Sequence, residues 1–230
     1  MKVILALGLL AALPVAAAVC EARSGPRPLQ VVELYTSEGC SSCPPADRWL
    51  STLKGRADVL PLAFHVNYWN RLGWADRFAS REATERQYLL ARTMGAPNVY
   101  TPQVIVQGQD WRRWPQLPAA PATAPMSLRL QRADQQVSAE VGPAAGRWAG
   151  YWVVLEDGHR SRVTAGENNG ETLRHDHVVR QYQPVAAWSA TGQRFTFDPG
   201  AAEAGVARRV AFVVVDATTQ RPVQALALGC

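Results

Sequence analysis

The chain has 230 residues, 47% hydrophobic and 19% charged, with a net charge of +5 and a pI near 9.3. This composition suits one large or two small globular domains and excludes a disordered or fibrous chain. The base is nearly all arginine (Lys2 and Lys54 are the lysines) and is interleaved with acid, which excludes a basic face for nucleic acid.

In chain order, Met1-Lys2 gives a short basic start, and Val3 to Val19 is apolar apart from Gly8 and Pro14, closing on Ala16-Ala17-Ala18. Residues 1–22 therefore read as a cleaved export signal, with a cut after Ala18 or after Ala22. Cys20 invites a lipoprotein anchor, but Val19 is too large for a good lipobox. No later stretch is long and apolar enough to span a bilayer. The expected location is periplasmic or secreted, in a compartment where disulfides persist.

Residues 27–114 alternate strand and helix signals, as expected for an α/β domain with parallel pairing at its start. Leu29–Thr36 is an apolar strand buried on both faces, and Ala46–Leu53 carries Trp49, Leu50 and Leu53 at helical spacing. Val59–Val66 is a second strand, Ser80–Met94 a helix capped by Ser80 and stopped by Gly95, and Gln103–Gln107 a third strand.

Between the first strand and the first helix stands Cys40-Ser41-Ser42-Cys43. A thiol at a helix N-terminus is stabilised as thiolate by the helix's partial positive charge, and a second thiol one turn away can close a disulfide. That is the apparatus of dithiol–disulfide exchange. Pro44 and Pro45 fit the first helical turn, which starts the helix near Ser42–Cys43 and leaves Cys40 facing the dipole and solvent. The competing reading is a static disulfide, since an exported protein oxidises neighbouring cysteines whether or not they react.

Pro115 to Pro125 holds four prolines in eleven uncharged residues, so residues 115–126 read as an extended connector. Beyond it, residues 127–230 change character. Ser127–Arg132, Gln136–Val141, Arg147–Glu156, Arg160–Ala165, Thr172–Gln183, Arg194–Asp198, Ala207–Asp216 and Pro222–Leu228 are short strands separated by turn residues. They predict an antiparallel β-sandwich. His175 and His177 alternate on one of these strands, facing one side, and read as core or surface histidines. Cys20 and Cys230 lie at the chain ends with no Cys/His pair spaced for ligation, so neither a metal nor another cofactor is expected.

The strings Glu33-Leu34-Tyr35-Thr36-Ser37-Glu38-Gly39-Cys40-Ser41-Ser42-Cys43-Pro44-Pro45, Phe64-His65-Val66-Asn67-Tyr68-Trp69, Gly73-Trp74 and Tyr100-Thr101-Pro102-Gln103, with Gly166-Glu167-Asn168 and His177-Val178-Val179-Arg180, resemble a bacterial family of secreted thioredoxin-like proteins of unknown function. The resemblance implies a thioredoxin-like domain followed by the β-sandwich. It makes Cys40 the nucleophile, Cys43 the resolving thiol, and Pro102, after Thr101, the cis-proline beside them. Glu33, with a loop one residue longer than usual, takes the place of the buried carboxylate that relays protons. Ser41-Ser42 matches neither reductant nor oxidant dipeptides, which leaves the direction of electron flow open.

Asn67, Tyr68, Trp69 and Trp74 leave the C-terminal end of a strand parallel to the one before Cys40. They are expected beside the motif, where they would bind substrate or pack under the long helix. Cys20 is free to pair with Cys230 if the cut follows Ala18 and is lost if it follows Ala22. The leading function is thiol–disulfide exchange with protein or small-molecule thiols. Its rival is a secreted binding protein in which Cys40–Cys43 is a staple. Oligomeric state is not readable.

Overall fold

The computed structural model describes residues 20–202 and 205–230. Residues 1–19 of the expected export signal lie outside the described residues. Cys20–Arg23, by contrast, form strand β1, antiparallel to β6 (Leu128–Ala133). A cut after Ala22 would remove three of this strand's four residues.

Among the described residues the fold is α+β, mostly sheet with two α-helices. Strand β2 (Gln30–Thr36) is buried along its length and pairs in parallel with β3 (Val59–His65), as the order of elements predicts. Pro61 is tolerated inside β3 because its missing N–H points to the same side as that of Ala63. On that side β11 (Val178–Ser189) pairs with β3 at Ala63 alone. Strand β4 (Gln103–Val106) runs antiparallel to β2 and turns back into the short β5 (Gln109–Asp110).

The sheet does not stop at residues 115–126. Its eight strands run in the order β14, β13, β8, β11, β3, β2, β4, β5, where β8 is Arg147–Asp157, β13 Ala207–Asp216 and β14 Pro222–Leu228. The sheet curls without closing, bringing Gly108 of the β4–β5 turn against Arg221 before β14. A four-stranded sheet (β1, β6, β7 over Gln136–Val141, and β12 over Gln193–Phe197) packs on one end of it. Leu128, Val137, Trp152 and Phe212 lie in the core between the two.

Helix α1 (Pro44–Ser51) buries Ala46, Trp49 and Leu50 on Val32, Leu34, Ala63 and Val104, on one face of the large sheet. Pro44 and Pro45 open it as expected, with Cys43 at the N-cap. Helix α2 (Arg81–Thr93) covers the opposite face, which carries Tyr35, Leu62, Phe64 and Ile105. Ser80 caps it, accepting from the Ala83 N–H at 3.0 Å. The proline-rich connector lies along this framework: Trp114 packs on Trp49, Pro115 accepts from Trp49 Nε1, and Gln30 Nε2 donates to Pro118.

One strand expected to be continuous is split. Thr172–Gln183 becomes β10 (Thr172–His175) and β11, parted by His177 in the left-handed region at φ 58°. His175 and His177 therefore do not share a face. His177 turns to Asp157 and Arg209, and burial with the Arg209 charge holds its imidazole down at about 4 against the pull of Asp157. Together with β9 (His159–Arg162), β10 forms a two-stranded hairpin that lies against α1.

Candidate functional site

The first turn of α1 ends the β2–α1 connection, where Cys40 and Cys43 are joined in a disulfide with Cα atoms 5.4 Å apart. A second disulfide joins Cys20 to Cys230. Two disulfides mark an oxidising, extracytoplasmic compartment. The Thr101 hydroxyl donates to the Cys40 sulfur at 3.3 Å, and the Thr101–Pro102 bond is cis. Trp69 Nε1 donates to Thr101 Oγ1 at 2.8 Å, which fixes that hydroxyl.

Contrary to the expectation of an open thiol, neither Cys40 nor Cys43 has exposed surface. The second half of the chain packs on the segment that carries them. Asn168 Nδ2 donates to the carbonyls of Glu38 and Cys40 at 2.8 and 3.0 Å. Its neighbour Glu167 accepts from the N–H and hydroxyl of Ser41, and these two bonds hold its carboxyl below the usual range. Gly166 sits at φ 73° against Trp74, where a Cβ would come within 3.3 Å of the indole's own Cβ. Local sequence patterns carry no signal for contacts of this kind, made across more than 90 residues.

The four expected wall residues divide into two pairs. Trp69 and Trp74 reach the site, the latter through Nε1 to Glu38 Oε2 at 2.8 Å. Asn67 and Tyr68 face α2 instead, bonded to Thr84 and Gln87.

Glu33 is not at the site. Its position in the pleat of β2 puts it on the α2 face, opposite α1. There its carboxylate takes Arg86 Nη2 and Nε at 2.6 and 3.0 Å and the hydroxyls of Tyr35 and Tyr151. One buried carboxylate on the disulfide's side is Asp47, one helical turn beyond Cys43, accepting from Thr36 Oγ1 at 3.0 Å. Burial pushes its carboxyl up, against the pull of His175, His65 and the Thr36 bond.

Further ionisable groups lie next to it. His65 Nδ1 is 2.7 Å from Asp76 Oδ2 with both side chains buried, and Asp76 also accepts from the N–H groups of Glu38 and Phe78. Burial opposes both charges but is outweighed: the Asp76 charge and hydrogen bond raise His65, and His65 with the two N–H groups lowers Asp76 to about 2. His175 Nε2 approaches Glu38 Oε1 at 3.2 Å without hydrogen-bond alignment. Among the described residues no group of three or more His, Cys, Asp or Glu side chains is arranged to hold a metal ion. No helix among them is long and apolar enough to cross a membrane.

A family model described as "Protein of unknown function (DUF1223)" matches residues 31–215. Among solved structures, the chain is similar to protein AGR_C_4864 from Agrobacterium tumefaciens, at 27% identity and a TM-score of 0.67, over 89% of this chain and 96% of that one. It is also similar to HBP35 of Porphyromonas gingivalis, at 16% identity and a TM-score of 0.57, over 88% of this chain and 75% of that one. That second likeness is one of fold alone. No curated protein matches the sequence.

Proposed function

We propose that this chain, which belongs to the DUF1223 family of proteins of unknown function, is an exported thioredoxin-like protein that exchanges thiols and disulfides at Cys40–Cys43. The supporting observation is the Cys-x-x-Cys disulfide at the N-terminus of α1 with the Thr101 hydroxyl on the Cys40 sulfur. A substrate thiolate attacks Cys40 Sγ, the protein S–S bond breaks, and Cys43 leaves as a thiolate at the helix N-terminus, where the dipole favours it. A second substrate thiol then attacks the substrate sulfur of the mixed disulfide. It releases Cys40 and carries away the new substrate disulfide; run backwards, the sequence oxidises a dithiol.

Asp47 takes the role first given to Glu33, as the buried carboxylate on the side of α1 that exchanges a proton with the resolving thiol. Trp69 and Trp74 flank the place where the substrate chain would lie. β1 and the Cys20–Cys230 disulfide fit a leader cut after Ala18 better than one after Ala22.

A second reading, a static staple in a binding protein, is favoured by the complete burial of both cysteines. Replacing the resolving thiol (Cys43→Ser) separates the two. The exchange reading expects mixed disulfides on Cys40 when the variant meets small-molecule disulfides or extracytoplasmic proteins. A folded variant whose Cys40 forms none supports the staple.

A further inference from the structure

Five ionisable side chains are gathered beneath the disulfide from separate parts of the chain: Glu38, Asp47 of α1, His65 of β3, Asp76 and His175 of β10. All are more than nine-tenths buried. The His65 and His175 rings meet edge to face with centroids 4.9 Å apart. Glu38 Oε1, His65 Nε2 and both ring nitrogens of His175 have no hydrogen-bond partner. Buried polar atoms left unpaired cost stability, and an apolar filling would avoid that cost. Buried unpaired polar groups call for an explanation, and a redox or catalytic role is one. The cluster has a route to solvent: a cavity of about 230 Å³ between α1 and β10, with Asp47 and His175 in its lining and Arg48 and Arg174 beside them.

We propose that His175, supplied by the second half of the chain, is the proton carrier between this cavity and the buried disulfide. The inference rests on the exchange reading above. Reduction of Cys40–Cys43 by a substrate dithiol moves two electrons to the protein and forms the substrate disulfide, and each protein sulfur leaves as a thiolate that ends as a thiol. Both sulfurs lack exposed surface in the closed protein, where the buried ionisable groups are the ones at hand to supply their protons. His175 meets the cavity on one side and Glu38, two residues before Cys40, on the other.

The groups facing His175 are Glu38, Asp47 and Arg48 from the Cys40–α1 segment, His65 from β3 and Asp76 beyond it, and its neighbour Arg174. His159 lies across the Phe78 ring. Three carboxylates face these imidazoles, so proton uptake by the histidines and by the sulfurs is electrostatically coupled. Asp47, pushed up by burial, shares that proton traffic on the cavity side.

The test begins with the unaltered protein. Histidine ring resonances are followed from pH 5 to 9 in the oxidised and the Cys40–Cys43-reduced states. Where a released sulfur is still thiolate in this range, its added negative charge raises the His175 midpoint by about one pH unit, tenfold in proton affinity, while His177, outside the cluster, does not move. Identical His175 titrations in the two states overturn the proposal. In a second arm, His175→Ala is reduced by dithiothreitol at pH 6 and pH 8. Expected are a loss of about tenfold or more in rate at pH 6, a flatter pH profile once the rate is divided by the dithiothreitol thiolate fraction, and recovery with added imidazole, which the enlarged cavity admits. A wild-type rate and profile also overturn it, and if the variant does not fold the resonance comparison decides alone. Failure of the exchange reading looks different: the disulfide of the folded wild-type protein then resists reduction at every pH, and both proposals fall together.

Discussion

Replacing Glu33 by Gln tests the division of labour between the two faces of the large sheet. The Glu33 carboxylate accepts from Arg86 Nη2 and Nε at 2.6 and 3.0 Å, from Tyr35 OH at 2.6 Å and from Tyr151 OH at 3.2 Å, with both charged side chains buried. Arg86 also lies 4.0 Å above the Tyr151 ring. The glutamine keeps the volume but strands the Arg86 charge in the core. Breaking one side of a buried pair costs about 3–5 kcal/mol, against about 5–15 kcal/mol for the stability of an ordinary domain. With a urea m value of about 3 kcal/mol per molar, the unfolding midpoint should fall by about 1–1.7 M. The paired change Glu33→Gln with Arg86→Met, which leaves no charge behind, should recover much of that loss. The assay is urea unfolding of the oxidised protein beside the rate of Cys40–Cys43 reduction by dithiothreitol in native buffer. That rate should stay within about twofold, because Glu33 and α1 lie on opposite faces of the sheet. An unchanged midpoint with exchange slowed tenfold would return Glu33 to the reaction and refute the assignment.

Three further perturbations probe the rest of the account. The Asp76 carboxyl, lowered to about 2, contributes stability that is present above the unfolded value near 3.8 and is lost as the pH falls toward 2. This amounts to about 2 kcal/mol, and urea midpoints of Asp76→Asn between pH 2 and 6 should lack that acid step. Replacing both Cys20 and Cys230 by serine opens a loop with a sequence separation of 210. Chain entropy puts the cost at about 5 kcal/mol, and a denaturation shift worth under about 1 kcal/mol would show that the bond does not constrain the unfolded chain. Asn168→Ala removes two hydrogen bonds from the carbonyls of Glu38 and Cys40, worth about 2 kcal/mol together, and so should speed reduction of the disulfide up to about thirtyfold. An unaltered rate would mean that the 163–171 loop is not what shields it.

Helices, most strands and the disulfide motif are legible in the sequence because their signals are local. Pro44-Pro45 after Cys43 announces a helix start, Ser80 a cap, and the apolar runs at Val59 and Ala207 their strands. The face that Glu33 occupies is not legible in this way. A strand buried on both sides has no polar face to set against an apolar one, so which side α1 covers is decided only by packing. His175, Asp76 and Asn168 escape for a different reason, since each reaches the disulfide region from a distant element and carries no mark of it in its own neighbourhood. β1 is hidden because its four residues follow directly on a leader-like run. The break at His177 is hidden because histidine, though enriched at positive φ, adopts it too rarely for its presence to announce a break.

The central claim is that Cys40–Cys43 is a working redox couple, and its reduction potential in the folded protein tests that most directly. The protein is equilibrated with thiol–disulfide buffers, quenched by alkylation and read by mass, with Cys20–Cys230 as internal reference. A working couple should titrate reversibly with the fold intact, at a potential above about −300 mV. A potential below that value, with reduction only as the protein unfolds, would make the disulfide a structural staple and contradict the account.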